Sequence, residues 1–94
     1  LDFGVEFPLP DEGARLRIWQ RLLPPEAPTD DDLDLEELAR RYRFSGGSIR
    51  NVLLNAAFLA ARDGGAIDVQ RVFWAARREF QKLGRLVDEG EFTV

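Results

Sequence analysis

The residues of this chain that could take part in chemistry are carboxylates, arginines and the glycine pair Gly46-Gly47. Its 94 residues contain no His and no Cys, which excludes imidazole bases, thiolate nucleophiles and His- or Cys-ligated zinc. The acidic clusters Asp11-Glu12, Asp34 to Glu37 and Asp68 sit where helices should begin, so capping explains them without a catalytic pair. Asp30-Asp31-Asp32 lacks the alternating ligands and glycine turn of a calcium loop and reads as a solvated acidic loop. No catalytic residue and no metal ligand is assigned. What remains is Phe44-Ser45-Gly46-Gly47-Ser48-Ile49-Arg50-Asn51. Two glycines in the first turn of a helix are unfavourable by about 1 kcal/mol each relative to alanine. Either a hydrogen-bonding or anionic ligand approaches the helix start closely, or the glycines let that start pack against a neighbour.

The elements that must position this segment are helical. Asp11 caps a first helix, on which Ala14 or Arg15, Ile18, Trp19, Leu22 and Leu23 form one apolar stripe, and Pro24-Pro25 stops it. Asp34 caps a second helix, with Glu37 closing a capping box and Leu33 placed to staple to Leu38. Ser45 caps a third, which runs to about Arg62 and is apolar on most sides, the pattern of a helix at the centre of a bundle. Gly64-Gly65 ends it. Asp68 caps a fourth, whose predicted buried stripe is Val69, Val72, Phe73, Ala76, Phe80 and Leu83, with a further turn at Leu86-Val87. The expected architecture is all-α: a four-helix bundle over residues 11–87, an extended arm over 1–10 and a mobile acidic tail over 88–94.

Phe3, Val5 and Phe7 alternate with polar residues as in a strand until Pro8 and Pro10 end the pattern. A lone strand reads as a frayed arm or as the last strand of a sheet lying upstream. The chain starts at Leu1 and contains no Met, as expected of a piece of something longer. No apolar run approaches the ~18 residues of a membrane span.

Charge is unevenly distributed. Residues 1–37 carry a balance of −8, residues 38–87 one of +7, and the last seven residues −3. The basic stretch is either a solvated face or a partner surface. Arg40, Arg41, Arg43 and Arg50 flank the turn between the second and third helices, as a helix-turn-helix would place them. The candidate reading helix, with Val52, Leu53, Leu54, Phe58 and Leu59, is too apolar for base edges, which disfavours nucleic acid.

The order of these features resembles the C-terminal helical lid of AAA+ ATPases. Leu1-Asp2 looks like the residues after the family's arginine finger. Phe7-Pro8-Leu9-Pro10-Asp11-Glu12 with Arg15, Ile18 and Trp19 is similar to its entry into the lid. Asp34-Leu35-Glu36-Glu37-Leu38-Ala39 and Phe44-Ser45-Gly46-Gly47 resemble its second helix and the turn that follows. The resemblance implies ATP as the cofactor, with Mg held by a core domain outside this sequence. Ile18 and Leu22 would pack near the adenine, and the Gly46 and Gly47 backbone would approach base and ribose. Ser48 stands where many relatives carry a sensor-2 arginine, which is similar to the branch lacking it. The implied role is mechanical. The lid moves against the core of the same parent chain and against neighbouring subunits of a homo-oligomeric ring, a cytoplasmic hexamer acting on a protein substrate. By itself the fragment would be no enzyme. The ending Arg77-Arg78-Glu79-Phe80-Gln81-Lys82-Leu83-Gly84-Arg85 resembles bacterial ATPases that accompany contractile injection systems. Arg77 to Lys82 is either a face for the next subunit or an ordinary charged helix end. The alternative to the whole reading is a small helical domain that binds nucleic acid or protein and has no nucleotide role.

Overall fold

The computed structural model describes residues 9–93, with side chains through residue 84. The strand-like pattern of Phe3, Val5 and Phe7 lies outside the described residues. Four helices follow one another: α1 (Glu12–Leu22), α2 (Leu35–Arg41), α3 (Gly46–Asp63) and α4 (Val69–Thr93). The expectation of an all-α four-helix bundle holds, and no strand occurs among the described residues.

Each helix starts where the sequence offers an acceptor. Asp11 takes the Ala14 N–H at 2.8 Å, Asp34 those of Glu36 and Glu37, Ser45 that of Ser48 at 3.2 Å, and Asp68 that of Arg71 at 2.9 Å. The expected capping box at Asp34 forms by half, because the Glu37 carboxylate pairs with Arg40 at 2.6 Å. Gly64 ends α3 with φ +67, a left-handed conformation that a side chain would oppose. The fourth helix extends to Thr93, past the turn at Leu86-Val87 where its apolar period ends.

The proline-bearing loop after α1 is tied down more firmly than an acidic loop in solvent. Ile67 N–H donates to the Pro28 carbonyl at 2.8 Å and Asp30 N–H to the Ile67 carbonyl at 2.9 Å, a single parallel bridge between the two loops. Asp30 accepts the Asp32 N–H at 3.1 Å, and Asp32 accepts the first N–H of α4, from Val69, at 3.3 Å. Two of the three adjacent carboxylates thus serve backbone donors, one of them a helix start far along the chain.

The core gathers Trp19, Leu38, Ala39, Tyr42, Phe44, Ile49, Val52, Leu53, Ala56, Ala60, Ile67, Val72, Ala75 and Ala76. α3 packs mainly along α4, and α1 bridges α2 and α3. Two expectations need correction. α3 is not enclosed: Leu54 and Phe58, one turn apart, are 55% and 66% exposed. The buried stripe of α4 is Val72, Ala75, Ala76 and Glu79, while Val69, Phe73 and Phe80 are exposed. A carboxylate at one position of the stripe hides its true period. On α1 it is Arg15, not Ala14, that is buried beside Trp19.

Candidate functional site

The glycine turn lies where α1 crosses the start of α3. Gly46 and Gly47 are the first two residues of α3 after the Ser45 cap. First-turn positions have no acceptor one turn earlier in their own helix, and neither glycine N–H has a hydrogen-bond partner among the described residues. The next donor, Ser48 N–H, is taken by Ser45 Oγ, and Ile49 N–H by the Ser45 carbonyl at 3.0 Å. The turn therefore presents two unused amide donors at the positive end of an 18-residue helix.

Of the residues singled out for this site, the fold brings Ile18 and Gly46 together. A Cβ built on Gly46 would lie 3.7 Å from Ile18 Cδ1, and one on Gly47 would lie 3.9 Å from Ser45 Oγ. Both are ordinary contact distances, and neither glycine has a positive φ. Nothing among the described residues requires glycine here, so the packing explanation of the pair finds no support among them. Gly47 is exposed and Gly46 half-buried. Ile18 and Leu22 are half-buried against the core, one turn apart on α1. The edge thus combines aliphatic surface with backbone donors, a pairing suited to a flat, partly polar ligand.

Two buried polar links flank this edge, and the sequence alone did not reveal either. Arg15, 7% exposed, donates from Nε to the Ala39 carbonyl at 2.7 Å and from Nη1 to the Pro10 carbonyl at 2.8 Å. It ties α1 both to the last turn of α2 and to the segment entering the domain. Ser48 Oγ donates to Glu79 Oε2 at 2.8 Å, which joins the first turn of α3 to α4. Glu79 could have been found from its spacing, since it follows Val72, Ala75 and Ala76 at the period of a buried stripe.

The open concave surfaces lie elsewhere. A groove of about 720 Å³ between α3 and α4 is lined by Phe58, Phe73 and Trp74 together with Arg62, Arg71 and Arg78. The Arg78 guanidinium lies 5.5 Å from the Trp74 ring centre. The arginines considered for a helix-turn-helix are partly committed, because Arg40 pairs with Glu37 and approaches Glu12 at 4.0 Å. Among the described residues no helix is long and apolar enough to cross a membrane, and no three His, Cys, Asp or Glu side chains gather as metal ligands.

Comparison with known proteins places residues 11–82 under a family model described as the contractile injection system ATPase helical domain. The chain is also 40% identical over 65 residues to the 26S proteasome regulatory subunit 6A of Saccharomyces cerevisiae. That match covers 68% of this chain and 15% of the yeast protein. It is 39% identical over 61 residues to a proteasome-activating nucleotidase of Saccharolobus islandicus, covering 64% of this chain and 15% of the relative. The chain thus matches about a seventh of the length of these curated relatives.

Proposed function

Because the chain belongs to the contractile injection system ATPase helical-domain family, we propose that it is the C-terminal lid of an AAA+ ATPase of the branch without a sensor-2 arginine. It forms one wall of an ATP site at the cleft between core and lid, and it couples hydrolysis to subunit motion in a ring. The observation that carries this reading is the juxtaposition of Ile18 with Gly46 beside two unused amide donors. Ile18 and Leu22 offer aliphatic surface for a base. The Gly46 and Gly47 N–H groups offer donors for base or ribose acceptors, and the missing Cβ atoms allow close approach. When bound, ATP supplies the phosphoryl chemistry, and its Mg is held by a core domain outside this sequence.

The lid's own residues do mechanical work. Arg15 holds Pro10 against the bundle, so a displacement of the entering segment moves α1 with it. Proline at that point limits the backbone to a narrow φ range. Arg77, Arg78 and Lys82 lie exposed on α4 and form the face turned to the neighbouring subunit of a homo-oligomeric, hexameric ring. The setting is a bacterial, cytoplasmic machine that remodels a protein substrate, and nucleic acid is not its partner.

The test uses the parent ATPase with Gly47→Val. The domain's stability should change by no more than about 0.5–1 kcal/mol, because the site is exposed. ATP affinity should fall about tenfold, a difference of ~1.4 kcal/mol. Unchanged ATP affinity with an intact fold rejects the nucleotide-facing role.

A further inference from the structure

Among the described residues, Glu79 is the buried carboxylate. It lies on α4 among Arg77, Arg78 and Lys82, yet it is 5% exposed. Its Oε2 accepts from Ser48 Oγ at 2.8 Å and from Asn51 Nδ2 at 3.5 Å, and its Oε1 faces Lys82 Nζ at 3.1 Å. Ser48 is the third residue of α3, so this negative charge sits beside the first turn of the helix, where the positive end of the dipole lies. Its only cationic partner among the described residues, Lys82, has a side chain 53% exposed. Water screens the lysine more than the carboxylate.

We propose that Glu79 is a specificity-determining residue. It fills the positive pole of α3 from inside the bundle, which leaves the outward Gly46 and Gly47 donors to a neutral acceptor and excludes phosphate from that turn. This rests on the nucleotide-facing reading given above, in which the glycine turn meets a base or ribose edge, and adds to it the group that keeps phosphate out of that turn. Phosphate sites at helix starts use several converging N–H groups together with an uncompensated dipole. Here Ser45 Oγ has taken the Ser48 donor, two amides remain, and the nearest buried charge is negative.

The test is a pair of titrations of the isotopically labelled 94-residue chain, followed through the Gly46 and Gly47 amide resonances at constant ionic strength. Inorganic phosphate and adenosine are the two probes. In Glu79→Gln, which keeps the side-chain shape and an acceptor for Ser48, the phosphate midpoint at these amides should fall about fivefold relative to wild type. The adenosine midpoint should stay within about twofold, since the change affects charge and leaves the donors in place. Should Glu79→Gln fail to fold, the double variant Ser48→Ala with Glu79→Leu removes the charge together with its partner, and the same shift is expected. Equal phosphate responses with and without the carboxylate, including none in either protein, overturn the inference. Absence of any adenosine response in both proteins leaves the nucleotide-facing reading to Gly47→Val in the parent ATPase, where the core wall is present, while the phosphate comparison still decides the role of Glu79.

Discussion

The Arg15 guanidinium donates to the Ala39 carbonyl at 2.7 Å from a position 24 residues earlier in the chain. Ala39 is in the last turn of the seven-residue α2, where carbonyls lack partners within the helix and the dipole is negative. A buried cation from α1 thus finishes a helix too short to be stable by itself. The same side chain reaches Pro10, so one residue holds two helices and the entering segment together.

Arg15→Ala should therefore destabilise the domain by about 2–3 kcal/mol, since hydrogen bonds from a charged donor are lost and the buried Ala39 carbonyl is left without that partner. Arg15→Lys should recover part of that loss, because a single ammonium lacks the fork that serves two carbonyls at once. Urea denaturation of the three proteins measures this. A loss below about 0.5 kcal/mol for Arg15→Ala, the range of neutral surface changes, would contradict the strut.

Gly64, which ends α3, and Gly84, within α4, should respond in opposite directions. Gly64 has φ +67, so Gly64→Ala should lower stability by about 1 kcal/mol or more. Gly84 lies within α4 with nothing inside 4 Å of an added Cβ. Gly84→Ala should raise stability by about 0.5–1 kcal/mol. Thermal melts of the two variants against wild type decide the signs.

Tyr42 should make the domain sensitive to alkali. Burial pushes its phenol above the ordinary value of 10.0, with Arg41 opposing the shift. A raised folded pKa means that the folded state holds the proton more tightly than the unfolded chain. The contribution is complete below pH 10 and is lost as pH rises through the folded pKa. Tyr42 is the single tyrosine, so tyrosinate absorbance reports it alone. Titration at the value of a free phenol would show that the packing on Phe44, 5.6 Å away between ring centres, does not exclude water.

The two tryptophans should behave differently towards a soluble quencher. Trp19 is fully buried and Trp74 is 52% exposed. Trp74→Phe should leave a blue-shifted emission that resists acrylamide, with stability changed by no more than about 0.5 kcal/mol. Strong quenching of that variant would place Trp19 near water and contradict the core.

Helix starts were legible because they depend on a side chain and backbone groups within three residues. Asp11, Asp34, Ser45 and Asp68 all cap as their local sequence requires. The stripe of α1 was legible in the same way, apart from the choice of Arg15 over Ala14. The faces of α3 and α4 were less so. Leu54, Phe58 and Phe73 are apolar but exposed, whereas Glu79 is charged and buried. Hydropathy states what a side chain prefers, while burial depends on whether another element arrives to cover it. Of the candidate ligand edge, the unusual glycine pair was visible in the chain. Its proximity to Ile18 was not, because that relationship depends on how α1 crosses α3.

By itself, then, the sequence determined that four capped helices form and that Gly46-Gly47 begins the third, since those outcomes depend on interactions within one turn of backbone. Only the tertiary structure decided that Arg15 completes α2, that Asp32 accepts the first N–H of α4 beside the Asp68 cap, and that Glu79 sits beside the start of α3. Each of these joins residues 24 to 37 positions apart. A buried charge or donor becomes tolerable only when a distant partner meets it, and that pairing is set by the packing of whole helices.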